Sequence, residues 1–260
     1  MDHVQALLQR LDGIGVTLSR KGHALMLLAL GSVGKETERA DAYSDLDFFV
    51  IVEPGYKARF IDQLDWLSDT YPLAYSFQNT RDGHKVMFED GIYGEFAVFE
   101  EQELEQAAYD EGRMVWKADT FHNEQLVKPH APFPQVRGTS LDFAMNEALT
   151  NLYVGLGRYA RGEKLSGSRF VQEHALHSIL SVLHLLEEET NFFPDKFGMD
   201  RRLEARFPAF AKLLPDMLQG YERVPESALH VLSYIESRYA ANPKLAAEIR
   251  QLASLCLTAE

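Results

Sequence analysis

Ala24-Leu25-Met26-Leu27-Leu28-Ala29-Leu30-Gly31-Ser32 and, after a polar loop, Ser44-Asp45-Leu46-Asp47-Phe48-Phe49-Val50-Ile51-Val52 decide how this chain is read. Two apolar runs of strand character bracket a Gly-Ser turn and a charged loop. Side chains at alternate strand positions point to the same face, so Asp45 and Asp47 are expected side by side at the mouth of a strand whose remainder is buried. Two such carboxylates repel each other unless a cation sits between them. Hard oxygen ligands suit Mg2+, which is usually held by one or two carboxylates together with substrate phosphates. Gly31 and Ser32 supply the matching anion cradle: glycine lets the backbone approach a phosphate, and clustered N–H groups attract it.

Composition sets the outer bounds. The 260 residues are too many for a minimal domain and suffice for two small ones. Hydrophobic content of 46% and charged content of 25% are ordinary for a globular chain able to bury a core. A net charge of −13 argues against a broad nucleic-acid surface, which needs a basic face, and is compatible with a cationic small acceptor. The single Cys256 excludes an internal disulfide. No apolar stretch approaches a membrane span and the N-terminus lacks a signal pattern, so no membrane association and a cytoplasmic location are expected.

Around the deciding stretch the periodicities assign an amphipathic helix over about 2–18, strands Ala24–Leu30 and Asp45–Val52, and a helix over 56–69. Strands at 73–78 and 84–89 flank an Arg81-Asp82-Gly83 turn, and further strands fall at 91–100 and 113–117. Within Gly94-Glu95-Phe96 a charge sits inside an apolar strand, where an unpartnered carboxylate is costly. Glu100 opens an acidic run that reads as a solvated helix start. Three prolines in Lys128–Pro134 mark a linker between domains at 1–130 and 135–260. Beyond it only helices are expected, at 141–161, 170–189, 200–220, 226–239 and from Pro243 to about 257. The fold class is thus an α/β (α+β) domain with a mixed sheet, followed by an all-α bundle. Arg158, Arg161, Lys164 and Arg169 cluster between two helices, where they meet a triphosphate or complement a helix C-terminus. Glu173, His174, His177 and His184 share the 170–189 segment. They lack the order of a zinc helix, and helix-surface or packing roles are favoured over a metal.

Gly31-Ser32, a gap of twelve residues (33–44) and Asp45-Leu46-Asp47 before an apolar strand together resemble the signature of the nucleotidyltransferase superfamily. That superfamily includes DNA polymerase beta and the aminoglycoside and lincosamide enzymes. Many members carry a glycine three or four residues after the serine, whereas here Gly34 follows Ser32 by two. The resemblance implies a third carboxylate on a later strand beside the aspartate pair, and Glu95 takes that position as metal ligand or general base. Gly94-Glu95-Phe96, and more weakly Arg161-Gly162-Glu163, are similar to the lincosamide branch. Implied in turn are Mg2+ held by Asp45, Asp47 and Glu95, and a nucleoside triphosphate, ATP or another, bound by Gly31, Ser32, Arg161, Lys164 and Arg169. A small hydroxyl-bearing acceptor, such as a lincosamide or aminoglycoside antibiotic, and a homodimer bordering the site are further implications. Nucleotidylylation of a protein partner and a non-catalytic nucleotide-binding regulator are the other readings.

Overall fold

The computed structural model describes residues 2–138 and 140–258. Residues 1, 139, 259 and 260, within the expected domain spans, lie outside the described residues. The chain divides into two compact units, Met1–Phe133 and Pro134–Glu260.

In the first unit, helix α1 (His3–Lys21) buries Leu7, Leu11, Ile14 and Leu18 along one stripe, as their three- and four-residue spacing demands. Strands β1 (Ala24–Ala29), β2 (Leu46–Val52), β3 (Leu73–Thr80), β4 (Gly83–Phe88), β5 (Tyr93–Glu100) and β6 (Arg113–Lys117) form one sheet in the order β3-β4-β5-β2-β1-β6. The β2–β5 pair is parallel and the others are antiparallel, so the sheet is mixed. The period of two sorts β2 between two cores. Leu46, Phe48, Val50 and Val52 join the core that holds the α1 stripe, while Phe49 and Ile51 join a second one with Leu104, Tyr109 and Phe121. Asp47 lies on the Phe49 side, exposed, at the end of the strand that this second core leaves uncovered.

The helix expected over 56–69 is instead two, α2 (Lys57–Asp62) and α3 (Asp65–Ser68). Gln63 adopts an extended conformation between them, and Trp66 turns inward to donate to the Phe60 carbonyl at 3.0 Å. Asp65 opens α3 against Lys21 (2.6 Å) and Arg59 (2.9 Å). The Arg59 guanidinium holds its carboxyl down to about 2, with Lys21 adding to the effect. The acidic run starts the short helix α4 (Glu101–Leu104), where the Glu103 carboxylate accepts from the Glu100 N–H at 2.9 Å.

In the second unit, α5 (Leu141–Ala160) starts at Ser140, whose hydroxyl accepts from the Phe143 N–H. After α6 (Lys164–Ser168) the chain continues as a π-helical segment, Arg169–Ala175, into α7 (Leu176–Val182). The expected single helix over 170–189 thus begins earlier, ends earlier and changes pitch within. The helix expected over 200–220 is three short pieces, α8 (Leu203–Arg206), α9 (Pro208–Ala211) and α10 (Leu214–Met217). Phe207 before Pro208 leaves the helical conformation, and Pro215, near the start of α10, has no N–H with which to continue the hydrogen bonding of α9. Helices α11 (Val224–Arg238) and α12 (Pro243–Thr258) complete the unit, and no strand occurs among its described residues. No helix among the described residues is long and apolar enough to cross a membrane.

His84 on β4 is buried against Phe96, the rings stacked 5.7 Å apart. Burial pushes its imidazole below the ordinary range. The unfolded chain then takes up a proton that the folded chain refuses, so stability rises with pH. It is held above about pH 6.5, the unfolded value, and is lost as pH falls below that. The fall in Tm between pH 7 and pH 5 is expected to be smaller in His84→Phe than in the parent; an equal fall would remove His84 as its source.

Candidate active site

The site is assembled from the ends of β1, β2 and β5. The Leu30 N–H donates to the Asp47 carbonyl at 2.7 Å, so the Gly31–Val33 turn starts beside Asp47. This turn is one turn of 3-10 helix, not the head of a longer helix. Gly31 carries a φ of 54°, which glycine adopts freely. The Gly34 and Glu36 N–H groups both donate to the Gly31 carbonyl, at 3.1 and 3.2 Å. A side chain at Gly34 would place its Cβ 2.6 Å from the Ala29 carbonyl oxygen, so this glycine is fixed by close packing of the turn on β1. Arg113 on β6 braces the turn from outside, its guanidinium donating to the Val33 carbonyl at 3.0 Å. Ser32 is nearly buried, 7% exposed.

The loop returns through Ala40–Ser44. The Asp41 carboxylate accepts from the Tyr43 N–H at 2.8 Å, and the Ser44 hydroxyl accepts from the Asp41 N–H at 2.9 Å. His3 Nε2 lies 2.8 Å from the Ser44 carbonyl oxygen and ties the loop to α1. Asp45 therefore enters β2 from an anchored loop. It sits one residue before the strand begins, and both it and Asp47 are exposed while Leu46 between them is buried.

Glu95 is Asp47's registered partner across the parallel β2–β5 pair, so the two side chains rise from one face on strands about 4.8 Å apart. Glu95 is held from its other side. Asn79 of β3 donates to Oε1 at 2.7 Å, and the ammonium of Lys85, registered opposite on β4, lies 3.7 Å from Oε2. Lys85, Glu95 and Asp47 form one row across three strands. Among the described residues no three His, Cys, Asp or Glu side chains converge tightly enough to form a metal cage. Asp47 and Glu95 thus share a face, with Asp45 exposed one residue ahead of the strand, without a closed three-ligand site. Their donors are all carboxylate oxygens, a set that fits Mg2+ with substrate oxygens completing its shell.

Asn79, Lys85, Arg113 and Arg39 escaped the sequence reading. Arg39 lies over Gly31, its Nη2 3.1 Å from where a Cβ would stand, and it pairs with Glu36. The charged loop pointed to Arg39, but no local signal points to the others, because strand pairing brings them in.

In the helical unit the basic group takes up local partners. Arg161 meets Glu163 at 3.0 Å and Lys164 meets Glu222 at 3.2 Å. Arg158 donates to the Ser166 hydroxyl at 2.6 Å and lies over the Phe170 ring, while Arg169 is exposed. His174 lies in the π segment, edge-on to Phe170 at 5.1 Å, His177 in α7 and His184 in a 3-10 turn. Burial first, then Arg137, pushes the His184 imidazole down.

No protein-family model matches this chain, and no curated protein matches it in sequence. Several solved structures match this chain, three of them as follows. An aminoglycoside 6-adenyltransferase from Bacillus subtilis is 14% identical, with 94% of this chain and 96% of that chain covered and a TM-score of 0.38. A nucleotidyltransferase-like protein from Exiguobacterium sibiricum is 13% identical, covering 88% and 74% at a TM-score of 0.35. The Thermotoga maritima CCA-adding enzyme, complexed with tRNA, is 13% identical, covering 98% and 73% at 0.39.

Proposed function

We propose that this chain is a Mg2+-dependent nucleotidyltransferase that moves a nucleoside monophosphate from a nucleoside triphosphate to a hydroxyl of a small molecule, releasing pyrophosphate. One observation carries the reading: Asp47 and Glu95 rise in register from one sheet face beside the start of the Gly31-Ser32 turn, with the exposed Asp45 one residue ahead of the strand. Carboxylates set side by side in register repel each other, and a bound cation relieves that repulsion.

Asp45 and Asp47 hold the cation in this reading. Bound there, Mg2+ supplies charge neutralisation for the triphosphate and the departing pyrophosphate. The Ser32 hydroxyl and the amides of its turn hold the terminal phosphates. Glu95, oriented by Asn79 and Lys85, takes the proton of the acceptor hydroxyl. The acceptor oxygen bonds to the α-phosphorus, the α–β bridge breaks, and pyrophosphate leaves with the electron pair. Rate comes chiefly from positioning and charge stabilisation. Arg161 and Lys164 would add phosphate contacts only by exchanging Glu163 and Glu222 for phosphate, whereas Arg169 is exposed without such an exchange.

Pyrophosphate release from each of the four nucleoside triphosphates with Mg2+, against aminoglycosides, lincosamides and simpler amino alcohols, tests the reading. Release that requires one acceptor supports it, whereas transfer of label to protein would redirect it to a protein acceptor. Glu95→Gln is expected to lower kcat by about 10²- to 10⁴-fold and to leave nucleotide affinity unchanged. A kcat equal to that of the parent would remove Glu95 as the base.

A further inference from the structure

The helical unit holds a cleft of about 610 Å³. One wall is the ridge Gln172, Glu173, Leu176, His177 and Leu180, and the facing wall is the loop Phe197-Gly198-Met199-Asp200. The volume lies in the range of small-molecule sites, which combine apolar walls with a few polar groups. Here Leu176, Leu180, Phe197 and Met199 supply apolar surface, Glu173 and Asp200 are carboxylates, and no lysine or arginine lines the cleft.

Two further observations make this a built cleft. The loop wall is pinned by Asp195, whose nearly buried carboxylate accepts from the Phe197 and Gly198 N–H groups at 2.8 Å and from Arg202 at 2.9 Å. The ridge wall starts within the π-helical segment Arg169–Ala175, a rare conformation that is frequent at functional sites. Gln172 within it is locked by paired hydrogen bonds to the Gly220 N–H and carbonyl, both 2.9 Å.

We infer that this cleft binds a small organic ammonium ion with an apolar body, its charge met by Glu173 and Asp200 and its body by Leu176, Leu180, Phe197 and Met199. The site stands apart from the transfer reading, and its test uses no nucleotide.

Calorimetric titration of the full chain with 3-phenylpropylamine is expected to show saturable binding at one site. 3-Phenylpropanoate, of the same shape and opposite charge, is expected to bind at least about tenfold more weakly, and so is the amine to the Glu173→Gln/Asp200→Asn double variant. One exposed charged pair desolvated on binding is worth about this factor. Both residues are exposed, and an unchanged melting curve verifies that the variant is folded. Asp47→Asn should bind the amine like the parent. No binding of the amine, equal binding of the carboxylate, or unchanged affinity in the double variant would each overturn the inference.

Discussion

Replacing Asp47 by asparagine is expected to reduce pyrophosphate release by on the order of 10³-fold or more, because it removes a full negative charge from the proposed cation site and keeps the shape. Asp45→Asn is expected to act in the same direction. Both side chains are exposed, and exposed substitutions usually change stability by less than about 0.5 kcal/mol. Tm should therefore move by less than about 2 °C. Loss of activity with an unmoved melting curve separates a chemical role from a structural one. Parental turnover in either variant would refute the cation site.

Trp66→Ala is expected to cost about 3–5 kcal/mol, a large share of the 5–15 kcal/mol typical of a folded protein. Trp66 is fully buried, edge-on to Phe96 at 5.0 Å and to Phe48 at 6.3 Å, with its indole N–H satisfied by the Phe60 carbonyl. Phe48 and Phe96 are themselves registered partners, stacked at 5.6 Å. They follow Asp47 and Glu95 directly and point to the opposite face. Trp66 thus clamps from below the two strands that carry the acidic row above. A urea midpoint change equivalent to less than about 1 kcal/mol would show that the neighbouring rings close the cavity. Trp66→Phe, which keeps an aromatic ring but loses the N–H donor, should recover part of the loss.

These two substitutions bear on different kinds of information. The sorting of β2 between two cores was legible because alternation along a strand is a local property: two residues on, the side chain returns to the same face whatever the chain does elsewhere. Strand β6 was legible on the same local grounds. The helix over 56–69 was misread because its apolar spacing continues through a break made by tertiary contacts, the inward turn of Trp66 and the pairing of Asp65 with Lys21 and Arg59. The helix expected over 200–220 is broken where Pro208 and Pro215 stand, because a missing N–H interrupts the helix even where the apolar spacing continues.

The sequence by itself determined the two apolar strands, the turn at Gly31-Ser32 between them, and the helical character of the second half. Only the tertiary structure decided that β5, and not another strand, lies parallel beside β2, which sets Glu95 level with Asp47 and brings Asn79 and Lys85 to its carboxylate. The physical reason is the range of the interactions. Side-chain direction along a strand is fixed by its own backbone, whereas the choice and register of its neighbour depend on burying two faces at once, a condition no single stretch of sequence contains.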